Sequence, residues 1–187
     1  MTKLEQAITF AVNAHEEQKR KGKERPYILH PLEVLAIVSA LTEDEDVLCA
    51  AVLHDTVEDT SVKLDDIEEA FGPRVRALVA AESENKRKGQ NAKDTWKIRK
   101  QETIDHLATA ERAVQIICLG DKLANLREIA RDYANDGKKF WNRFNQKDKN
   151  EHAWYYRSID EILKKEFSGT DQLTEYERLI VSVFGEK

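Results

Sequence analysis

At 187 residues the chain has the length of one domain, able to bury about seventy per cent of its unfolded surface without cross-links. Thirty Lys and Arg against thirty-five Asp and Glu give a formal net charge of −5, which argues against broad nucleic-acid binding and requires any anionic ligand to be met by a local basic patch. The two cysteines, Cys49 and Cys118, lie inside apolar runs and read as reduced core thiols, while acids early in MTKLEQAITFAVNAHEE and the lack of an apolar run near ~18 residues lead us to expect a cytoplasmic protein with no membrane partner.

In chain order, Leu4, Ala7, Ile8, Ala11, Val12 and His15 recur at three- and four-residue spacing and predict an amphipathic helix that ends near the basic loop KRKGKERP. Pro31 is placed to open a second helix, PLEVLAIVSAL, since proline is tolerated at the first helical position. Thr42 and Glu45 have capping-box spacing ahead of a third helix, whose run VLCAAVLHDTV is apolar on nearly all sides. LDDIEEAF, closed by Gly72, reads as a fourth helix, and Pro73 starts another through PRVRALVAAE.

The stretch SENKRKGQNAKD lacks apolar periodicity and reads as an exposed loop; the basic residues here and just beyond (Lys86, Arg87, Lys88, Lys93, Lys97) would meet either phosphates or water. A mostly polar helix follows around TWKIRKQETIDHLATA, then a strongly apolar one, AVQIICLGDKLANLREIA. Helices around AWYYRSIDEILKKEF and TEYERLIVSVF close the pattern. Three prolines, seven glycines and no period-two run bounded by turns make the fold class all-α, a helical bundle forming a single domain over residues 1–187 with no internal repeat.

The third helix poses a question of charge. His54 and Glu58 are four residues apart, as are Asp55 and Asp59, so the two pairs stack one turn apart and can face one cavity at core depth. An ionised carboxylate in such a helix costs several kcal/mol unless something pairs with it. Asp121 and Asn125 repeat the four-residue spacing on the later apolar helix, set opposite a Leu119, Leu123, Leu126 stripe. One solution is a set of hydrogen bonds within the core. The other is a divalent cation: His30, His54, Asp55 and Asp121 would offer two nitrogen and two oxygen ligands, suited to Mn²⁺, Fe²⁺ or Zn²⁺ with positions left for water and a substrate oxygen.

Three ordered stretches, AHEEQKRKGKERPYILHP, HDTVEDT and LGDKLANLREI, resemble the HD-type hydrolase domain of the RelA/SpoT family. The length resembles that of its single-domain members, the small alarmone hydrolases, which include the metazoan SpoT homolog. The resemblance implies an all-α HD fold, one Mn²⁺ per chain, and hydrolysis of the 3′-pyrophosphate of guanosine tetra- or pentaphosphate to GDP or GTP plus pyrophosphate. It places the metal ligands on His30, His54, Asp55 and Asp121, and the acidic pair that orients and activates water on Glu58 and Asp59. It also places an Arg-Lys pair that holds base and phosphates on Arg20 and Lys21, and a ribose-contacting asparagine on Asn125.

His15 is expected to brace the first loop, whereas His106 and His152 are expected at the surface. Lys149 and Tyr155 lie in WNRFNQKDKNEHAWYYR, which resembles the region where metazoan members set a basic residue and a tyrosine over the substrate. The chain departs from many bifunctional members in a longer loop between Lys21 and Pro26 and in Glu128, where those often carry threonine. Two other functions remain open at this level. One is a phosphohydrolase acting on an adenine alarmone or the 2′-phosphate of NADPH; the other is a non-catalytic nucleotide-binding module, which would have no need of Glu58 and Asp59.

Overall fold

A computed structural model of the chain describes residues 1–84, 87 and 89–186. In chain order the elements are α1 (Lys3–Ala14), α2 (Leu29–Val38), α3 (Glu45–Leu53), α4 (Thr56–Asp59), α5 (Leu64–Phe71), α6 (Pro73–Glu82), α7 (Trp96–Thr109), α8 (Arg112–Asp136), a 3-10 helix (Gly137–Arg143), α9 (Lys149–Phe167) and α10 (Asp171–Phe184). The described residues contain no strand, only an isolated bridge between Lys19 and Pro26, so the all-α expectation holds. None of the helices is long and apolar enough to cross a membrane among the described residues.

The chain divides into two compact units, one of residues 1–83 with 116–124, the other of residues 84–115 with 125–187. In the first unit, α1 opens on a capping box in which Thr2 accepts from the Glu5 backbone at 3.2 Å and Glu5 accepts from the Thr2 backbone at 2.7 Å. Its small residues Ala7 and Ala11 are fully buried, as are Cys49 and Ala50 to Leu53 on α3, so α3 is enclosed nearly all round. Neither cysteine forms a disulfide. Burial pushes the Cys49 thiol up to about 11, which keeps it inert at neutral pH.

Two helix starts differ from their sequence signals. The cap of α3 is Asp44, whose carboxylate accepts from the Asp46 backbone at 3.1 Å, while Thr42 instead accepts from the Asp44 backbone at 3.1 Å. The Asp44 carboxylate closes the cap from the residue directly before the helix, where Arg74 also pairs with it at 2.7 Å. Likewise α2 begins at Leu29, two residues before Pro31, which therefore sits within the first turn where its missing N–H costs no intrahelical bond.

Gly120, on the stretch of α8 that belongs to the first unit, is required by close approach. A Cβ there would lie 2.7 Å from Val38 Cγ2 and 3.3 Å from Val34 Cγ1, both on fully buried residues of α2. This contact brings the backbone beside Asp121 against the helix that carries His30.

The second unit is organised around aromatic rings. Trp141 and His152 have ring centroids 4.8 Å apart, with Phe144 and Trp96 each 5.2 Å from the same imidazole. His152 is thus buried at 6 % exposure, correcting its expected place at the surface; His106 is exposed as expected. His152 Nε2 donates to the Gln146 carbonyl at 2.9 Å. The local signal was masked because its ring partners come from two other segments, Trp96 of α7 and the Trp141 and Phe144 stretch. The helix α8 also runs on to Asp136, where Gly137 at φ 56 ends it and a 3-10 helix unannounced by apolar periodicity begins.

Two outcomes follow for stability. Gly120→Ala would gain up to about 1 kcal/mol of helix propensity but meet an overlap whose relief costs about 1–3 kcal/mol. We expect a net loss in denaturant unfolding, largely recovered by adding Val38→Ala. Burial holds the His152 imidazole below its ordinary value, so the unfolded state binds the extra proton first. Stability is therefore complete above about pH 6.5 and falls as pH drops below it. Unfolding followed by tryptophan fluorescence should show this fall, flattened in His152→Phe.

Candidate metal and catalytic site

The site starts from the end of α3. His54 and Asp55 keep helical dihedrals, yet the ladder breaks there because two side chains take carbonyls that a continuing helix would use. Thr56 Oγ1 donates to the Leu53 carbonyl at 2.7 Å, and His54 Nδ1 donates to the Ala51 carbonyl at 2.8 Å. A carbonyl only accepts, so Nδ1 carries a proton and Nε2 faces the interior of the first unit.

Around that nitrogen the four residues expected as metal ligands converge. His54 Nε2 lies 3.0 Å from Asp55 Oδ2 and 3.8 Å from Asp121 Oδ1; His30 Nε2 lies 3.5 Å and 3.1 Å from the same two oxygens. The ligand atoms of His30, His54 and Asp121 all fall within 4.8 Å of one another, and these three residues are buried. Asp121 reaches this point from α8, turning Oδ1 inward while Oδ2 meets the Lys122 ammonium.

Charge sets the protonation of the cluster. Burial by itself would push His54 down, but the charge of the adjacent Asp55, together with the charge of Asp121, lifts it to about 10. Burial works against ionisation of Asp55 and Asp121 also, yet His54 holds Asp55 well below the usual carboxylate range, and Lys122 with His30 and His54 does the same for Asp121. Glu82, at the end of α6, is pushed up to about 7, chiefly by burial and despite the nearby Lys122.

The acidic pair sits further out. Glu58 and Asp59 occupy the short α4, and burial falls from His54 at 3 % through a half-buried Glu58 to an exposed Asp59. The expectation of four groups at core depth is therefore corrected to a gradient, because the chain leaves the core after Thr56. Asp59 is tied back by Tyr27, whose hydroxyl lies 2.9 Å from Asp59 Oδ2 and 2.7 Å from Asp55 Oδ2. Burial, then the charges of Asp55 and Asp59, raise the Tyr27 phenol far above its ordinary range, so it remains a donor.

The basic loop before α2 folds as a tight hairpin, with Arg20 N donating to Arg25 O at 3.0 Å and Tyr27 N to Gln18 O at 2.8 Å. Its turn closes through Lys23 N to Arg20 O at 3.0 Å with Gly22 at φ 74, the third turn position, where a positive φ favours glycine. Arg20 lies over the Tyr27 ring at 5.3 Å, whereas Lys21 is exposed at the turn. His15 braces this loop as expected, with Nδ1 2.7 Å from Gln18 Oε1 and its ring 4.9 Å from that of Tyr27.

Asn125 is half-buried one helical turn after Asp121. In the second unit Tyr155 is buried, and Lys149 lies over the Tyr133 ring at 4.8 Å. Of the basic residues after α6, Arg87 pairs with Glu102 and Lys97 with Glu151 at 2.5 Å, whereas Lys93 is exposed; Lys86 and Lys88 lie outside the described residues. Sequence reasoning assigned no role to Tyr27, Lys122 or Glu82. The first two adjoin motif residues, in PYILHP and GDK, which was the available signal; nothing local marked Glu82.

These residues fit a divalent cation. Bonds of about 2.0–2.2 Å put neighbouring ligand atoms roughly 3.0–3.5 Å apart, close to the spacing of this mixed nitrogen and oxygen set. His54 Nε2 is moreover a buried nitrogen with no well-formed hydrogen bond among the described residues, facing two carboxylates.

The model of a family described as the HD domain matches residues 7–148. A guanosine-3′,5′-bis(diphosphate) 3′-pyrophosphohydrolase of Drosophila melanogaster is 37 % identical over 130 residues, 68 % of this chain and 69 % of that protein. An enzyme with the same activity in its name from Aquifex aeolicus (strain VF5) is 38 % identical over 130 residues, 67 % of this chain but 18 % of its own length. A solved structure described as a metazoan ortholog of SpoT that hydrolyzes ppGpp superposes with a TM-score of 0.77 at 27 % identity, covering 96 % of this chain and 94 % of its own.

Binding a divalent cation at neutral pH must expel the proton that Asp55 and Asp121 hold on His54. Log affinity should rise with pH at a slope near one between roughly pH 6 and 8, with about one proton released per cation. Titration calorimetry in buffers of different ionisation enthalpy reads both quantities, and a zero slope would contradict this account.

Proposed function

The chain belongs to the HD domain family, and from that premise we propose that it is a metal-dependent guanosine-3′,5′-bis(diphosphate) 3′-pyrophosphohydrolase, releasing pyrophosphate from guanosine tetra- or pentaphosphate to leave GDP or GTP. The observation that carries this reading is the convergence of His30, the consecutive His54 and Asp55, and Asp121 from three separate segments of one unit, beside the Glu58 and Asp59 pair. The family span of residues 7–148 takes in parts of both compact units, which supports one hydrolase domain over residues 1–187. A cytoplasmic location and a small nucleotide ligand, with no role for nucleic acid or membrane, accompany this proposal.

In this reading His30, His54, Asp55 and Asp121 hold one divalent cation; the two imidazoles and two carboxylates suit Mn²⁺, Fe²⁺ or Zn²⁺, and the family resemblance selects Mn²⁺ among them. When bound, such an ion acidifies the attacking water and neutralises charge on the phosphoryl group. Glu58 or Asp59 accepts the proton as the water oxygen attacks the phosphorus next to the ribose. The bond from that phosphorus to the ribose 3′ oxygen breaks, and the oxygen leaves as a hydroxyl with the proton that the carboxylate took from water and gives back. Lys122 holds the second oxygen of Asp121, keeping the first turned inward. Arg20 presents a planar guanidinium that can stack on the guanine, Lys21 supplies a point charge for phosphate, and Asn125 bonds the ribose.

The test incubates the purified full chain and Mn²⁺ with guanine and adenine 3′-pyrophosphates and with NADPH. Pyrophosphate from the guanosine compounds is expected; orthophosphate from NADPH alone, or no turnover at all, would overturn the proposal. Glu58→Gln should keep the cation and lose on the order of 10²–10⁴-fold in turnover, whereas Asp121→Ala should lose cation and stability together. Calorimetric metal content and thermal unfolding separate the two effects.

A further inference from the structure

Tyr27 is the point at which three parts of the proposed site meet. Its ring is buried at 8 % exposure, 4.9 Å from the ring of His15 and 6.0 Å, edge-on, from that of His30. Its backbone is fixed at both polar groups: the N–H donates to Gln18 O at 2.8 Å, and the carbonyl accepts from His30 N at 2.9 Å. The side chain therefore enters the site from a rigid hairpin, with little freedom to search for partners.

The hydroxyl ends 2.7 Å from Asp55 Oδ2 and 2.9 Å from Asp59 Oδ2. A phenol has one proton, so two carboxylates from successive turns share a single donor. Asp55 has other partners, since the same Oδ2 lies 3.0 Å from His54 Nε2. Asp59 is exposed and is the last residue of a four-residue helix. A carboxylate in that position has several rotamers open to water, whereas a proton acceptor has to be held within about 0.5 Å of its working position.

The same ring lies under the Arg20 guanidinium at 5.3 Å, within the range of a cation–π contact. One side chain thus joins the group proposed to hold the nucleotide to the group proposed to take the proton. We propose that Tyr27 is a positioning residue for hydrolysis: its hydroxyl sets Asp59 against Asp55, and its ring sets Arg20. This rests on the hydrolase activity proposed above.

The two functions of the side chain separate by substitution. Tyr27→Phe keeps the ring and removes the donor, while Tyr27→Ala removes both. With full-length protein saturated in Mn²⁺ and guanosine tetraphosphate as substrate, Tyr27→Phe should lower kcat about 10–100-fold and leave KM within about twofold, the loss typical of a group that orients another. Tyr27→Ala should lower kcat similarly and raise KM as well. Restoration of KM by Phe but not Ala is a pattern that general loss of stability does not produce. An unchanged kcat in Tyr27→Phe would overturn the inference, as would a kcat loss that vanishes on raising Mn²⁺, since Tyr27 would then act only on metal affinity.

Crystals of wild type and Tyr27→Phe supply a readout independent of activity. The Asp59 carboxylate should leave its place beside Asp55 in the variant, and an unmoved Asp59 would overturn the inference. A wild-type protein that releases no pyrophosphate would instead sink the hydrolase reading, leaving this comparison to decide the role of the hydroxyl in placing Asp59.

Discussion

Two carboxylates, Asp55 and Asp121, approach two imidazoles inside a unit whose helices turn mostly apolar residues inward, and the rest of the first unit is arranged around making that tolerable. In the metal-free protein the required positive charge is a proton, held on His54 by its neighbours. A divalent cation supplies the same neutralisation with more charge at one point. Protonation and metal loading are thus alternative solutions of one electrostatic problem, and the buried acids are stable only because one or the other is always available.

Rigid support follows from the same constraint. Two of the inward-facing groups are oriented by a bond on the far side, Ala51 O on His54 Nδ1 and Lys122 on Asp121 Oδ2, and the Tyr27 hydroxyl meets Asp55 at the same oxygen that faces the imidazoles. Such outer partners fix tautomer and direction, which the ligand set cannot do alone. The break after α3 belongs to this support. By spending its carbonyls on side chains, the helix brings His54 and Asp55 to the core edge and turns Glu58 and Asp59 outward, toward the side where water and a substrate can arrive.

The second unit is built on different physics. Its centre is a set of aromatic rings around a neutral, buried His152, where burial of ring area outweighs the loss of a titratable group from water. This unit also absorbs much of the chain's positive charge into local pairs, as with Arg87 and Glu102 or the bidentate contact of Arg127 with Glu175 at 2.6–2.9 Å. The acidic net charge of the sequence therefore coexists with guanidinium groups already committed to neighbours.

Helix type and order were legible in the amino-acid sequence, because a 3.6-residue apolar period and glycine or proline punctuation are local properties. The chemistry of the site was also legible in part: too many acids and imidazoles stood in apolar runs to be left without a partner, and the motifs around His30, His54, Asp55 and Asp121 marked which ones. Tertiary structure alone decided the rest. It placed Tyr27 between Asp55 and Asp59, set Lys122 on Asp121, drew Glu82 into the field of the cluster and buried His152 among rings from distant segments. Apart from the adjacent pair Asp121 and Lys122, those relations depend on distances between residues far apart in the chain, and a pattern read along the backbone carries period and composition but no such distances.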